Sequence, residues 1–315
     1  MEGLALFMVS LLSIGAIYSI LCLALNLEAG VDGLWDLGIV SFFGVGAYTY
    51  TLLTAIPAEG HQHYVLGLEL PIWIGVFGAG LAGGIVALLI GSPSLRLKQE
   101  YFLITTLAFA EVIRQIYANE LWLTNGVAGI FGLTPPFREM FDPQMQAVVR
   151  LGLIVFALIV AYWVVQSLTV SPFGRGLKAL RENEALAKTA GINPFSFHIR
   201  AFVACGVMTG VAGSFYVWYN TIIIPGQFVA DVTFFVWTAI IIGGIGNNRG
   251  ALIGGFLFIF LYDALRFIPV PSEYAEVIAS VRTGLVGVVL IIVLRLRPNG
   301  LFKERPQRLR VRSAD

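Results

Sequence analysis

The chain alternates long apolar runs with short polar segments, a pattern typical of helices that cross a membrane. A helix needs roughly 20 apolar residues to cross the hydrocarbon of a bilayer. The pattern predicts an all-α polytopic membrane protein with about nine transmembrane segments, at 4–25, 34–56, 71–91, 101–118, 148–168, 200–222, 232–246, 250–268 and 278–296. Turn residues separate these spans, at Glu28–Gly33, 57–67, Ser92–Pro93 and Asn247–Arg249 among others.

Glycines interrupt several of these spans, most densely at residues 36–46 and 240–255. Small residues let membrane helices approach closely, and this interpretation suits most of them. Short or Gly-interrupted segments at corresponding places in two halves of a chain also mark broken helices beside a transport pathway. An inverted repeat is therefore a hypothesis, although no residue-level repeat supports it, and 34–56 and 232–255 could be full or re-entrant spans.

Lys and Arg are concentrated in alternate loops, which predicts how the spans are oriented. The basic residues fall in four segments: the 92–100 turn, 171–200, Arg249 and the end that begins at Arg295. The 57–70 loop has no Lys or Arg, and the 119–147 loop has only Arg138. With every basic segment in the cytoplasm, nine spans alternate without contradiction. We therefore expect the N-terminus outside and the C-terminus inside.

Composition agrees with a membrane protein, since 57% of the 315 residues are hydrophobic, 12% are charged and the mean hydropathy is +0.83. Soluble domains average about 25% charged residues. A net charge of +1 gives no indication of a nucleic-acid partner. Cys22 and Cys205 lie in apolar runs without metal-ligand spacing. We expect a transmembrane domain over 1–300 and a basic cytoplasmic tail over 301–315.

The longest polar run inside the membrane region is residues 171–200, SPFGRGLKALRENEALAKTAGINPFSFHIR. Phe173, Leu177 and Leu180 fall on one helical face, and charged residues cover the rest. Gly191 would end this helix, and Asn193–Pro194 would start a turn. The pattern predicts one short amphipathic helix beneath the membrane. The residues alone favour a helix that rests on lipid headgroups, although a docking helix for a cytoplasmic partner has the same design.

This segment, continued by AFVACGVMTGVAGSFY, resembles the cytoplasmic loop and following span of the branched-chain amino acid ABC transporter permeases, the LivH/LivM-type family. Further stretches resemble the family in its order, over nearly the whole chain and best in the LivM branch: LALNLEAGVDGLWDLGIVSFFGVGAYTYTLLT, LRLKQEYFLITTLAFAEVIRQIY, LTNGVAGIFGLTPPF, TAIIIGGIGNNRGALIGGFLFIF and LRLRPNGLF. One departure leaves the substrate open, because many members have a histidine where this chain has Ile39 or Val40.

The resemblance implies a permease subunit of a binding-protein-dependent ABC importer in the bacterial inner membrane. Its solutes would be small amino acids, branched-chain ones first, or related small solutes. The implied partners are a second homologous permease subunit, two cytoplasmic ABC ATPase subunits, a periplasmic solute-binding protein and membrane lipid. The chain has no GxxxxGK[ST] motif, so ATP and Mg would be bound by the ATPases, and we expect no cofactor, metal or enzymatic activity in this chain.

The resemblance also implies a coupling helix at 174–191, within a coupling loop at 169–199. The predicted ATPase-coupling residues are Gly174, Arg175, Leu177, Leu180, Arg181, Glu182, Glu184 and Gly191. The predicted pathway residues are Ser41, Phe42, Phe43, Tyr48, Thr106, Glu111, Gly243, Gly244 and Gly246. Aromatic residues at such positions more often pack or contact lipid. A mixed apolar and weakly polar lining would suit a small amino acid or amide.

Charged residues inside the spans fall in two pairs, Glu111–Arg114 and Asp263–Arg266, each with a spacing of i,i+3 that allows mutual neutralisation. A proton relay would need more such groups along one route, and none is identified. The alternative function is an ATP-independent secondary transporter or channel for a small polar solute. A membrane-embedded enzyme is disfavoured because His61 and His63 share one loop, His198 lies on the other side, and no catalytic constellation emerges.

Overall fold

The computed structural model describes residues 2–58, 62–133, 136 and 141–264, together with 284, 287–289, 291–293, 295–297 and 300–304. Across these residues the chain is almost entirely helical, and a single antiparallel bridge between Ile130 and Ile223 is the only extended pairing. The helices are α1 Glu2–Leu25, α2 Ile39–Thr54, α3 Ile72–Ser94, α4 Gln99–Asn119, α5 Leu121–Thr124, α6 Pro143–Val170, α7 Pro172–Glu182, α8 Glu184–Thr189, α9 Pro194–Asn220, α10 Ala230–Gly243 and α11 Asn248–Ala264.

Five helical stretches among the described residues are long and apolar enough to cross a membrane: Ala5–Asp32, Ile72–Ser94, Gln144–Val170, Pro194–Asn220 and Pro225–Gly243. Helix α2 is apolar but has only 16 residues, and α4 and α11 lie where two further spans are predicted. A polytopic helical membrane protein is thereby confirmed. The count of nine and the orientation remain predictions, and the span 278–296 lies mostly outside the described residues.

Glycine positions bring helices α2, α3 and α9 into close contact. A Cβ atom added at Gly46 of α2 would overlap the carbonyl of Gly210 in α9. A Cβ at Gly83 of α3 would likewise overlap the carbonyl of Gly206. The glycines therefore allow backbone-to-backbone packing, as the sequence predicts, and a methyl group at either position would force these helices apart.

The predicted loop at Glu28–Gly33 is wrong, because Asn26–Asp32 forms a π-helical segment that continues α1. All of its residues are buried, and Gly33 ends it with φ +83°. The chain is then non-helical until α2 begins at Ile39, later than the predicted start at residue 34. The π-helical segment Asn26–Asp32 is central to the sites described below.

Residues 171–200 contain two consecutive helices, α7 and α8, before α9 begins, and the prediction of a single amphipathic helix is wrong. The break falls at Asn183, whose Oδ1 accepts a hydrogen bond at 2.9 Å from the backbone N–H of Leu186. An Asn side chain in this position caps the start of a new helix. Gly191 follows the end of α8 with φ +84°, in agreement with its predicted role as a helix terminator.

Asn193 and Pro194 begin a transmembrane helix instead of forming an isolated turn. Asn193 Oδ1 accepts a hydrogen bond at 3.4 Å from the backbone N–H of Ser196, and Pro194 is the first residue of α9. Proline is favoured at this position because its missing N–H has no partner in a helical first turn. Helix α9 therefore starts before the predicted residue 200.

Candidate functional site

The basic segments of the sequence meet at one end of the helical bundle. Lys178 of α7 contacts Glu304, and Glu304 in turn lies against Gly246 in the connection between α10 and α11. A cleft separates α7 and α8 from the α3–α4 turn, which carries Arg96. We call this region the basic end, defined by residues 95–99, 172–189, 244–249 and 300–304. The sequence predicts that these basic segments share one side of the membrane, and in the structure they form one surface.

Glu304 links α7 to the rest of the basic end. Its Oε1 lies 2.9 Å from Lys178 Nζ, and its Oε2 lies 2.9 Å from Arg181 Nη2. The other terminal nitrogen of Arg181 donates a hydrogen bond to the carbonyl of Gly30 in the π-helical segment. One carboxylate and one guanidinium therefore connect α7, residues 300–304 and the buried end of α1.

Residues 300–304 also complete the end of α10. The backbone N–H of Leu301 donates to the carbonyl of Ile242 at 2.9 Å, and that of Phe302 donates to Gly243 at 3.0 Å. These carbonyls lie in the last turn of α10, where the helix itself supplies no donors. Gly244 and Gly246 follow with φ +114° and +83°, a backbone conformation that glycine adopts without strain.

A buried amide pair holds the same glycine turn to the π-helical segment. Asn26 Oδ1 accepts from the backbone N–H of Gly246 at 2.8 Å, and Asn26 Nδ2 donates to Asn248 Oδ1 at 2.9 Å. Asn248 Nδ2 donates onward to Gln166 Oε1 of α6 at 2.9 Å. The predicted pathway residues Gly243, Gly244 and Gly246 are therefore fixed from two sides in this structure.

Three buried carboxylates follow one another at intervals of four residues, at Glu28, Asp32 and Asp36. Asp32 Oδ1 lies 2.8 Å from His198 Nδ1 of α9, and Asp36 Oδ1 accepts from the backbone N–H of Gly38 at 2.7 Å. The Glu28 carboxylate lies beside the Cys205 thiol and has no N–H or O–H donor among the described residues. Burying a carboxylate with few donors is costly, so this row, and Glu28 above all, indicates a constraint other than packing.

Sequence reasoning missed these carboxylates and Glu304. Glycines flank Glu28 and Asp32, which predicts a turn there, and Asp36 lies within the predicted apolar span 34–56. Their spacing of four is a helical signal that could have revealed a continuous acidic face. No local signal could have revealed Glu304, because its partners are distant in sequence.

The predicted coupling residues divide into buried and exposed groups. Leu177 and Leu180 are buried within the chain, and Phe173 stacks on Phe197 of α9 with ring centroids 5.4 Å apart. The apolar face of α7 is thus occupied by the chain itself. Gly174 is also buried, and Arg181 is held by Glu304. The exposed members of the predicted set are Arg175, Glu182, Glu184 and Gly191.

Helix α8 is the exposed part of this segment. Leu186 is 68% exposed, whereas Ala187 is buried against the rest of the chain. Glu184 and Lys188 form an i,i+4 ion pair at 2.7 Å, and both side chains are more than half exposed. Helix α8 therefore presents one large apolar side chain flanked by charges.

Ser41 and Thr106 lie together beside the non-helical residues that precede α2. Ser41 Oγ donates to the carbonyl of Gly38 at 2.6 Å, and Thr106 Oγ1 accepts from the backbone N–H of Leu37 at 3.1 Å. A Cβ at Gly38 would overlap the backbone of Thr106, so α2 and α4 are in direct contact here. Two predicted pathway residues are thus brought together.

The predicted aromatic pathway residues are packed against other rings. Tyr48 stacks on Tyr117 with ring centroids 4.1 Å apart, and Phe43 lies 5.6 Å from Phe228. Phe42 points into a separate cluster with Phe202, at 5.3 Å. The structure therefore brings Phe43 and Tyr48 together but separates Phe42 from them.

Glu111 lies apart from the other predicted pathway residues. Its side chain is 53% exposed and forms an ion pair with Arg114, with Oε1 2.5 Å from Nη2. The expectation that this i,i+3 pair neutralises itself is confirmed. The second pair extends to Arg266, which lies outside the described residues.

Apolar helices that cross a membrane, joined by glycine contacts into one bundle with a charged end, define a multi-pass helical membrane protein. The family follows from sequence comparison. The chain belongs to the branched-chain amino acid transport permeases, because the family model described as "Branched-chain amino acid transport system / permease component" matches residues 7–294. This confirms the resemblance found in the sequence.

Three relatives illustrate the range of the similarity. The high-affinity branched-chain amino acid transport system permease protein LivM of Escherichia coli (strain K12) is 26% identical over 322 residues, covering 95% of this chain and 71% of that protein. The probable branched-chain amino acid transport permease protein LivM of Methanocaldococcus jannaschii is 28% identical, covering 92% and 91%. The ribose import permease protein RbsC of Haemophilus influenzae is 25% identical, covering 71% and 70%. No solved structure matches the chain.

Proposed function

We propose that this chain is a permease subunit of a binding-protein-dependent ABC importer for branched-chain amino acids in a bacterial inner membrane. A second permease subunit, two cytoplasmic ATPases and a periplasmic solute-binding protein complete the importer. The ATPases bind ATP and Mg. The names of the similar LivM proteins support the solute class, and the arrangement of the basic end supports the coupling to ATPases.

The basic end faces the cytoplasm in this proposal. Lys and Arg are enriched in the cytoplasmic loops of membrane proteins, and the basic segments of this chain share one surface. With that surface inside, the nine predicted spans place the N-terminus outside. We place the pathway along α2, where Phe43 packs on Phe228 and Tyr48 packs on Tyr117, so a solute that passes there requires these rings to separate.

The single observation that carries the coupling proposal is the exposed leucine of α8. An exposed Leu186 on a short polar helix suits a partner that covers it, and the flanking charges can set the register of docking. Helix α7 lies behind α8, with its apolar face buried and Lys178 and Arg181 bound to Glu304. A force applied to α8 would therefore reach the π-helical segment through Arg181 and Gly30.

The test is a Leu186→Ser variant of the importer, reconstituted with its ATPases and binding protein. We expect about a tenfold loss of ATP-driven uptake and weaker copurification of the ATPases, with normal membrane insertion. The matched control is Leu121→Ser, because Leu121 is 63% exposed and lies away from the basic end. Equal uptake and ATPase recovery in both variants would remove the coupling role of α8.

The alternative, an ATP-independent transporter or channel, is favoured by one observation. Glu28, Asp32 and Asp36 form a buried acidic row, and ion-coupled transporters use such groups inside the membrane. Flux into liposomes that contain this chain alone, without ATPases or nucleotide, would support that function. ATP-dependent uptake that requires the ATPases supports the importer.

A further inference from the structure

The basic end contains a cleft that has no part in the proposed coupling. It has a volume of about 610 Å³ and lies between the α3–α4 turn, the start of α9 and helices α7 and α8. Small-molecule sites commonly fall in the range of about 300–1,000 Å³. The cleft is therefore large enough for a small organic ligand.

The floor of the cleft includes a carboxylate oxygen that lacks a donor. Asp32 is only 2% exposed and lines the cleft. Its Oδ1 is bound by His198, but its Oδ2 has no hydrogen-bond partner among the described residues. A buried carboxylate oxygen without a donor is costly, so this position suits a ligand that brings an N–H donor, above all an ammonium group.

The rim of the cleft carries a cation that is not neutralised by the described part of the chain. Arg96 lies over the ring of Phe195, with its guanidinium carbon 5.5 Å from the ring centroid, and forms no ion pair with a described residue. The two other lining cations differ, since Arg181 is paired with Glu304 and Lys188 with Glu184. Arg96 is thus available to an anionic ligand group, which a guanidinium binds well.

The apolar part of the cleft wall lies beside polar lining residues such as Gln99 and Asn193. It is formed by Leu34, Leu95, Leu97, Phe102 and Leu180. An acceptor at the floor, a cation at the rim and apolar residues on part of the wall match three groups of one molecule. These groups are an ammonium, a carboxylate and an aliphatic side chain.

We propose that this cleft binds one zwitterionic α-amino acid with an aliphatic side chain from the cytoplasmic side. Asp32 accepts from the ammonium group, Arg96 binds the carboxylate, and Phe102 and the leucines contact the side chain. The proposal rests on the proposed function for the solute class and the orientation. Because α7 and α8 form one wall, an occupied cleft restrains the coupling segment, and internal amino acid slows further import.

The experiment measures binding of tritiated leucine to the full importer in nanodiscs, without the solute-binding protein. The lipids are phosphatidylcholine and phosphatidylglycerol, which carry no primary amine. We expect saturable binding, and about a tenfold higher Kd in Asp32→Asn and in Arg96→Gln. Arg249→Gln is the matched control, because Arg249 is an exposed cation of the basic end outside the cleft.

Two leucine analogues test the two charges separately. Leucinamide keeps the ammonium group but has no carboxylate, so its affinity should be weak and unaffected by Arg96→Gln. The compound 4-methylpentanoate keeps the carboxylate but lacks the ammonium group, so its affinity should be weak and unaffected by Asp32→Asn. Because Arg96 is exposed, its variant remains informative if Asp32→Asn does not fold.

Three results would overturn the cleft site. The first is the absence of saturable leucine binding, and the second is binding that neither variant weakens. The third is binding that disappears at all leucine concentrations in nanodiscs of phosphatidylethanolamine, because that result would identify the lipid headgroup as the occupant. ATP-driven uptake is measured in parallel. Normal uptake of leucine without cleft binding overturns the site alone, whereas an inserted importer that transports no amino acid overturns the proposed function.

Discussion

Arg181 of α7 and Glu304 form an ion pair, with Nη2 2.9 Å from Oε2, although 123 positions separate them in sequence. The side chain of Arg181 is 25% exposed, and that of Glu304 is 30% exposed. Lys178 binds the same carboxylate, so one acidic residue balances two cations of α7. Helix α7 is thereby attached to a part of the chain that also caps α10.

The first prediction concerns this ion pair. Glu304→Gln should lower the thermal unfolding midpoint slightly, because partly exposed ion pairs contribute about 1 kcal/mol or less. A double-mutant cycle with Arg181→Gln should give a coupling free energy of about 0.5–1 kcal/mol. The control is Glu100→Gln, at an exposed position that starts α4. Additive effects of the two substitutions would show that the pair contributes nothing.

The same variant should change the function of the importer more than its stability. If α7 transmits force through Arg181 and Glu304, Glu304→Gln should lower the number of solute molecules imported per ATP hydrolysed. The ratio is measured in proteoliposomes with uptake and phosphate release followed together. An unchanged ratio with a lowered uptake rate would confine Glu304 to a structural role.

The second prediction concerns the contact between α2 and α9. Gly46→Ala places a methyl group against the backbone of Gly210, and overpacking of this kind costs about 1–3 kcal/mol. We expect a lower unfolding midpoint and a lower yield of folded protein. Gly152→Ala is the control, because Gly152 of α6 has open space around the added atom. Equal midpoints for the two variants would contradict the close helix contact.

The third prediction concerns Tyr48, a predicted pathway residue. Its hydroxyl is buried without a partner among the described residues, whereas its ring stacks on Tyr117. Tyr48→Phe should therefore keep or raise the unfolding midpoint, because it removes an unpaired polar group that costs about 1–3 kcal/mol. If the hydroxyl contacts the solute during transport, the uptake rate at saturating binding protein should fall. A higher midpoint with unchanged uptake would leave Tyr48 with a packing role only.

The fourth prediction concerns Glu28, whose buried carboxylate lies beside the Cys205 thiol and has no N–H or O–H donor among the described residues. Glu28→Gln preserves the shape and removes the charge, so we expect a folded protein of equal or higher stability. ATP-driven uptake should stay within about twofold, since the ATPases supply the energy in the proposed function. Complete loss of uptake in a stable Glu28→Gln variant would instead favour the ion-coupled alternative.

The sequence predicted most helices because apolar runs and glycine contacts are local signals. It could not predict the π-helical segment, because Gly30 and Gly33 look like turn residues in the sequence. The contacts that hold this segment come from residues that are distant in the chain. The carbonyl of Gly30 is bound by Arg181, and Asp32 is bound by His198. These contacts exist only after α7 and α9 have packed against the end of α1.

The candidate sites also combine features that have a local signal in the sequence with features that depend on distant contacts. Asn183 is a favourable residue for starting a helix, so the sequence contains a local signal for the break between α7 and α8. The pairing of Glu111 with Arg114 was predicted because both residues belong to one helix. The cleft and the Glu304 contacts could not be predicted, because they depend on the relative positions of four separate segments.

The hydrogen bonds from Leu301 and Phe302 to the last turn of α10 have a consequence for biosynthesis. The carbonyls of Ile242 and Gly243 receive their donors only after the ribosome has translated α11 and the stretch that follows it. During membrane insertion these two carbonyls therefore lack their hydrogen-bond donors until residues 300–304 have been synthesised. A chain truncated just before Gly300 would never supply these donors to the end of α10, although it would contain every helix from α1 to α11.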